Sequence, residues 1–231
     1  MKKQTISKRE QNKIDCTNSI LKASRRLFSK DGYTETHMQN IAEKAGVSKA
    51  TLYNYFPNKE SLLIGIVNQM HQELKQGDAR REKENAAPED RLKGICTDLV
   101  MGSMKYPELT RRLVYYHSLE NSTLFRCLDP IIGLVRNVMT VLYEDVLARY
   151  GEPESNALGK EASSAENFQL PDSEEFVSTS LEFFLGLYYV ILFHSGLSYP
   201  EDLEKIQGKM RKAMTHMLKG IGNYPVSAAR K

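Results

Sequence analysis

The 231-residue sequence holds only three cysteines, Cys16, Cys96 and Cys127, and no pair of them stands at CxxC or any metal-ligand spacing. That argues against a disulfide framework or a zinc module and fits a reducing compartment. Each reads as a small apolar filler on a helix, with redox sensing as the sharper alternative. Also missing are a glycine-rich phosphate loop, a nucleophile elbow, an HExxH pair and any His/Cys/Asp cluster at ligand spacing. The expectation is therefore a protein that is not an enzyme, with no catalytic residue, no metal and no cofactor. A helical enzyme stays as an alternative, because bundles assemble active sites from positions far apart in sequence. Long hydrophobic runs are absent as well. The longest, FFLGLYYVILF at residues 183–193, is flanked by Glu182, His194 and Ser195, and about 20 apolar residues are needed to cross a bilayer. No membrane association is expected. The opening MKKQTISKREQN lacks the apolar core of a secretory signal, so a cytoplasmic location is expected, with Lys2, Lys3, Lys8 and Arg9 forming either a loose basic arm or a frayed end.

What is present is a segregation of charge beneath a net value of +3. Residues 1–60 carry 12 Lys/Arg against 6 Asp/Glu, residues 61–150 balance 12 against 12, residues 151–204 carry 1 against 11, and the remainder 7 against 0. A basic N-terminal region is the electrostatic footprint expected of phosphate binding, although a charge run is also an ordinary solvated face.

Inside that region lies THMQNIAEKAGVSKATLYNYFPNK, residues 36–59. Met38, Ile41, Ala42 and Ala45 recur at helical steps, and Gly46 suits a left-handed turn that ends the helix. Val47 can then drop an apolar anchor. Ser48 is a good N-cap for a second helix over Lys49–Phe56, which Pro57 stops. Two short helices across a tight turn make a helix-turn-helix, whose second helix enters the major groove. Leu52 and Phe56 fall inward, leaving Lys49, Ala50, Thr51, Tyr53, Asn54 and Tyr55 outside. Tyrosine hydroxyls and Lys49 suit phosphates, while Thr51 and Asn54 reach bases. The bland alternative is a small helical subdomain whose tyrosines half-bury against a neighbour.

The flanks fall in register with this motif: Ile20-Leu21-Lys22-Ala23-Ser24, Leu27-Phe28, Gly32-Tyr33, Ile41-Ala42, Ala45-Gly46-Val47-Ser48, Thr51-Leu52-Tyr53 and Tyr55-Phe56-Pro57-Asn58-Lys59-Glu60-Ser61-Leu62. Over about residues 12–72 the chain resembles TetR-type transcriptional regulators, the tetracycline-repressor family. The resemblance implies an all-α fold, with an N-terminal three-helix DNA-binding domain at 12–72 (helix-turn-helix about 37–56) and a larger helical regulatory and dimerisation domain at 78–225. It implies a homodimer on a palindromic double-stranded operator, released as a repressor by a small-molecule inducer; activation is the alternative, set by where the operator lies. Thr36, His37, Lys49, Ala50, Thr51, Tyr53, Asn54, Tyr55 and Lys59 are the implied DNA-facing residues. Ala50 stands where the family often has glycine, Asn54 where it often has histidine, and His37 where a second small hydroxyl residue is usual; these departures bear on the operator sequence.

Around the motif, an apolar stripe predicts a support helix over residues 13–30, closed by Gly32, with Tyr33 packing back and Thr36 or His37 capping the next helix. Asn58 is expected to cap a helix striped by Leu62, Leu63, Ile66, Val67, Met70 and Leu74 up to Gly77, and residues 77–89 read as a charged connection. Lys59 in its first turn opposes the helix dipole, which a phosphate would explain. Further helices are expected over 90–104, from Pro107 through His117, and from Asn121 or Ser122 to Tyr150, with Pro130 giving a kink or a fresh start. Residues 151–172 read as an acidic loop. The helices at about 174–197 and 201–219 form an apolar hairpin suited to a four-helix dimer interface. An apolar or aromatic inducer pocket is expected among Tyr116, His117, Glu120, Asn121, Phe125 and Tyr188, each of which is also an ordinary core or interface position.

Overall fold

A computed structural model describes residues 7–150 and 172–194, with shorter pieces at 196, 201, 202, 204–209, 212, 213 and 215. Among the described residues the chain is all helical. The helices are α1 (Lys8–Lys30), α2 (Met38–Ala45), α3 (Lys49–Tyr55), α4 (Lys59–Lys83), α5 (Pro88–Met104), α6 (Pro107–His117), α7 (Asp129–Tyr150) and α8 (Ser173–His194). The acidic loop expected at 151–172 lies outside the described residues except for Asp172, as does much of the hairpin helix expected at 201–219, of which 204–209 is helical.

Packing divides the chain into two compact units, one running through Glu73 with Gly102–Ile131, the other comprising Leu74–Met101 and the described residues from Ile132 onward. The first unit buries one helix face after another: Ile20, Leu21 and Phe28 on α1, Ile41 and Ala42 on α2, Leu52 on α3, Leu62, Leu63 and Ile66 on α4, Leu109 and Leu113 on α6. Helix α1 packs on both α2 and α6, and α2 on α3. The second unit buries Leu92, Ile95, Cys96 and Val100 on α5, Val135, Val138, Met139 and Leu142 on α7, and Phe176, Val177 and Phe184 on α8. Tyr143 and Phe176 stack at 5.1 Å between ring centroids within it.

Several boundaries differ from the sequence expectation. Helix α1 starts at Lys8 rather than Lys13, because Ser7 and Glu10 form a capping box: the Glu10 N–H donates to Ser7 Oγ at 3.2 Å and the Ser7 N–H to Glu10 Oε2 at 3.1 Å. Helix α4 does not end at Gly77 but runs on to Lys83, leaving a connection only four residues long before Pro88. The apolar stripe stops there because ion pairs take over the packing. Arg91 makes a two-pronged contact with the buried Asp78, Nε to Oδ1 at 2.9 Å and Nη2 to Oδ2 at 2.8 Å, and a third bond to Glu82. Asn85, at φ 56°, takes the left-handed position that ends the helix, and the Ala86 N–H donates to the Arg81 carbonyl at 3.0 Å. Helix α7 begins at Asp129 with Pro130 in its first turn, so the proline marks a fresh start, and 118–128 form turns instead of helix.

One close approach places the short third helix. An added Cβ at Gly65 would lie 2.8 Å from Phe56 Cε1 and 2.9 Å from Leu21 Cδ2, so α4 touches the end of α3 and the inner face of α1 at a point where only glycine fits. Gly65→Ala is expected to destabilise this unit by about 1–3 kcal/mol through overpacking, outweighing the better helix propensity of alanine. Urea unfolding followed by circular dichroism measures it, and a midpoint equal to or above the parent's would show that Phe56 and Leu21 give way freely.

Candidate nucleic-acid interface

Helices α2 and α3 are joined by Gly46, whose φ of 72° lies in the left-handed region, with the Gly46 N–H on the Glu43 carbonyl and the Val47 N–H on the Ala42 carbonyl. Ser48 caps α3, its Oγ accepting from the Thr51 N–H at 2.9 Å. Asn58 caps α4, its Oδ1 accepting from the Ser61 N–H at 2.8 Å. Each corner of the motif is thereby set by one residue acting locally.

These corners gather an open cleft of about 380 Å³ lined by Thr36, His37, Met38, Gln39, Lys49, Tyr53 and Lys59. Three helices contribute: the start of α2, the start and middle of α3, and the first residue of α4. His37 is the N-cap residue of α2 but makes no side-chain cap, so the first turn of α2, whose Met38 and Gln39 line the cleft, lacks that acceptor. Thr36 does not cap either; its buried hydroxyl donates to the Gly32 carbonyl at 2.6 Å and forms part of the floor. No carboxylate lines the cleft. Two lysines, a helix N-terminus and a tyrosine that is 42% exposed make it a place for an anion.

Lys59 is held more firmly than its place in the first turn suggests. Its Nζ donates to the Tyr33 carbonyl at 2.8 Å and the Thr34 carbonyl at 3.0 Å, and lies 4.7 Å from the Tyr33 ring centroid. These contacts offset the unfavourable helix dipole within the protein itself. An ammonium has three donors, and two of them are used here.

The other expected DNA-facing residues divide. Lys49, Ala50 and Asn54 are exposed on α3, and Thr51 is half-buried with its hydroxyl 2.7 Å from Ser48 Oγ. Tyr55, expected on the outer face, is half-buried. Met38, expected on the apolar stripe of α2, is half-buried and lines the cleft with the exposed Gln39, whose place at the start of α2 was the available signal.

The residues expected to line an inducer pocket are distributed over both units. Tyr116 is half-buried on α6 in the first unit, 5.5 Å from the Tyr115 ring centroid. His117 Nδ1 accepts from the Leu128 N–H at 3.4 Å, and its Nε2 lies 4.0 Å from Asp129. Glu120 and Asn121 are exposed, and Phe125 is exposed with Arg126 over its ring. Tyr188 belongs to the second unit, beside Phe184 at 6.1 Å.

Residues 20–66, which contain this cleft, match the model of the bacterial regulatory proteins of the tetR family. The chain carries the TetR-family DNA-binding domain. The HTH-type transcriptional repressor NicS of Pseudomonas putida is 24% identical over 128 residues, 53% of this chain and 60% of NicS. The HTH-type transcriptional regulator RutR of Escherichia coli is 34% identical over 93 residues, 40% of this chain and 43% of RutR. The matched stretches thus span less than two thirds of these relatives. Thermus thermophilus FadR, a TetR-family repressor solved with lauroyl-CoA, superposes with a TM-score of 0.59 at 20% identity, over 93% of this chain and all of that one. At that identity the likeness establishes the fold: a TetR-type N-terminal domain followed by further helices.

No helix of the described residues is long and apolar enough to cross a membrane, and no His/Cys/Asp/Glu group among them could hold a metal. Burial pushes the Cys96 thiol well above its ordinary value and, with Asp129 adding to the effect, raises Cys127 to about 11. At pH 7 a thiol with a pKa of about 11 is roughly one part in 10⁴ thiolate. Reactivity of both should rise with pH. Iodoacetamide at pH 7 is expected to leave Cys96 unmodified in the folded protein and to modify it in urea, as read by mass spectrometry; equal rates in the two states would mean that α5 opens readily.

Proposed function

We propose that this chain is a homodimeric, sequence-specific DNA-binding regulator, a repressor released from a palindromic operator by a small-molecule inducer. The observation that carries the reading is the carboxylate-free cleft, where Lys49, Lys59, Tyr53 and the start of α2 converge beside the exposed face of α3. A phosphate in that cleft positions the helix, and Thr51, Asn54 and Ala50 read base edges from it.

Support for the dimer comes from α8, which leaves Phe183, Tyr189 and Val190 exposed by 49%, 49% and 51% on a helix whose other face is buried. Together with the helix expected at about 201–219, α8 would form a hairpin, and two such hairpins from two copies would close a four-helix interface of the two-fold symmetry a palindrome requires. The inducer is apolar or aromatic. Aromatic side chains line the second unit, and Thermus thermophilus FadR shares the fold and was solved with an acyl-CoA. Ligand entry shifts α4, which begins with Lys59, and so changes the spacing of the two reading heads. Cytoplasmic location and the absence of catalysis belong to the same reading.

Selection of bound fragments from random DNA, with Tyr53→Ala in parallel, tests it. A palindrome enriched by the parent and lost in the variant is the expected result; enrichment of no sequence by either would overturn the reading. On the selected site, Lys59→Ala should lower the slope of log affinity against log salt by about one unit for every sequence bound. Asn54→Ala and Thr51→Ala should instead change which bases are preferred, at about 1–3 kcal/mol per lost contact.

A further inference from the structure

Arg112 and Tyr116 lie on α6, far along the chain from the helix-turn-helix, yet the same compact unit brings both to Tyr33 at the corner between α1 and α2. The Arg112 guanidinium carbon is 5.1 Å from the Tyr33 ring centroid. The Tyr116 ring meets Tyr33 edge-on at 6.3 Å and 63°, and Arg112 Nη1 donates to the Tyr116 hydroxyl at 3.2 Å. Tyr33 also holds the cleft: its ring lies 4.7 Å from Lys59 Nζ, its carbonyl accepts from that same Nζ, and its hydroxyl donates to Glu60 at 3.0 Å. One buried ring is therefore shared by two cations, one on the DNA-facing end of α4 and one on α6.

We propose that Arg112 and Tyr116 are positioning residues for DNA binding, which hold Tyr33, and through it the Lys59 ammonium, where Lys59 meets a phosphate. Operator affinity is thereby set from α6 without either residue touching DNA. The proposal rests on reading the cleft as a phosphate site. A cation acts on a ring within about 6 Å of its centroid, and Arg112 already sits at 5.1 Å. A displacement of α6 on the order of 1–2 Å, the usual size of helix shifts in switching proteins, takes Arg112 past that limit and releases one side of the clamp.

The test uses the full chain and its selected operator, with affinity measured across a salt series for Arg112→Ala, Arg112→Lys, Lys59→Ala and the Arg112→Ala/Lys59→Ala pair. Arg112→Ala is expected to weaken binding about fivefold to tenfold, the range of a partly desolvated cation–π contact, and Arg112→Lys to recover part of it. In the Lys59→Ala background, Arg112→Ala should add less than about twofold, and the salt slope of the pair should fall by about one unit rather than two. Tyr116→Phe, which removes only the hydroxyl that Arg112 holds, should act in the same direction and lose its effect in the same background. It serves if Arg112→Ala lowers the melting temperature. Independent effects that multiply in the pair, or a slope that falls by two units, would overturn the positioning role and leave the cleft as a phosphate site. A Lys59→Ala variant that binds with unchanged affinity and slope would overturn the phosphate reading itself, and the proposal with it.

Discussion

Phe56 ends the recognition helix and packs against α4 where an added Cβ at Gly65 would come within 2.8 Å of its ring. The placement of α3 against α4 depends on that contact. Helix α3 spans only Lys49–Tyr55, and isolated helices shorter than about 12–15 residues are marginal in water. It exists because Ser48 caps one end, Leu52 is fully buried from its middle, and Phe56 is held at the other. Removing bulk at residue 65 was the way to let α4 approach closely enough for all three to hold at once.

The electrostatics build on this frame. Lys59 in the first turn of α4 opposes the helix dipole, a cost of about 0.3–1 kcal/mol. Two carbonyls and the Tyr33 ring offset it. The result is a half-buried cation whose orientation is already fixed by the protein. Glu60, the nearest carboxylate in sequence, is occupied by the Tyr33 hydroxyl, and burial together with that acceptor keeps the phenol of Tyr33 protonated far into the alkaline range. The same residue thus holds the cation in the cleft and engages the neighbouring anion.

The motif was legible in the sequence because its signals are local. Gly46, Ser48, Pro57 and Asn58 each act within three or four residues, and the apolar steps of α1, α2 and α4 mark which faces are buried. The extent of α4 beyond Gly77 was not legible, because the buried Asp78 replaces an apolar residue on its packed face and its partner, Arg91, which also reaches the exposed Glu82, belongs to the next helix. The half-burial of Tyr55 is set by packing from outside α3, and the short α3 segment carries no periodicity that announces it. The carbonyls that hold Lys59 come from the loop before α2, about 25 positions earlier, and nothing local to Lys59 announces them.

The position of α6 follows a different logic. Composition marks a domain boundary when the boundary is a loop, yet here the divisions between the two units fall at 73/74, 101/102 and 131/132, inside α4, α5 and α7. No run of glycine, proline or charge can signal a division within a helix. What assigns α6 to the first unit is side-chain packing: Leu109 and Leu113 are buried, α6 packs on α1, and Arg112 and Tyr116 reach Tyr33. A helix encoded far from the reader domain therefore contributes to its core. Any influence on α6 acts directly on the residues that hold Lys59, whatever its effect on α4.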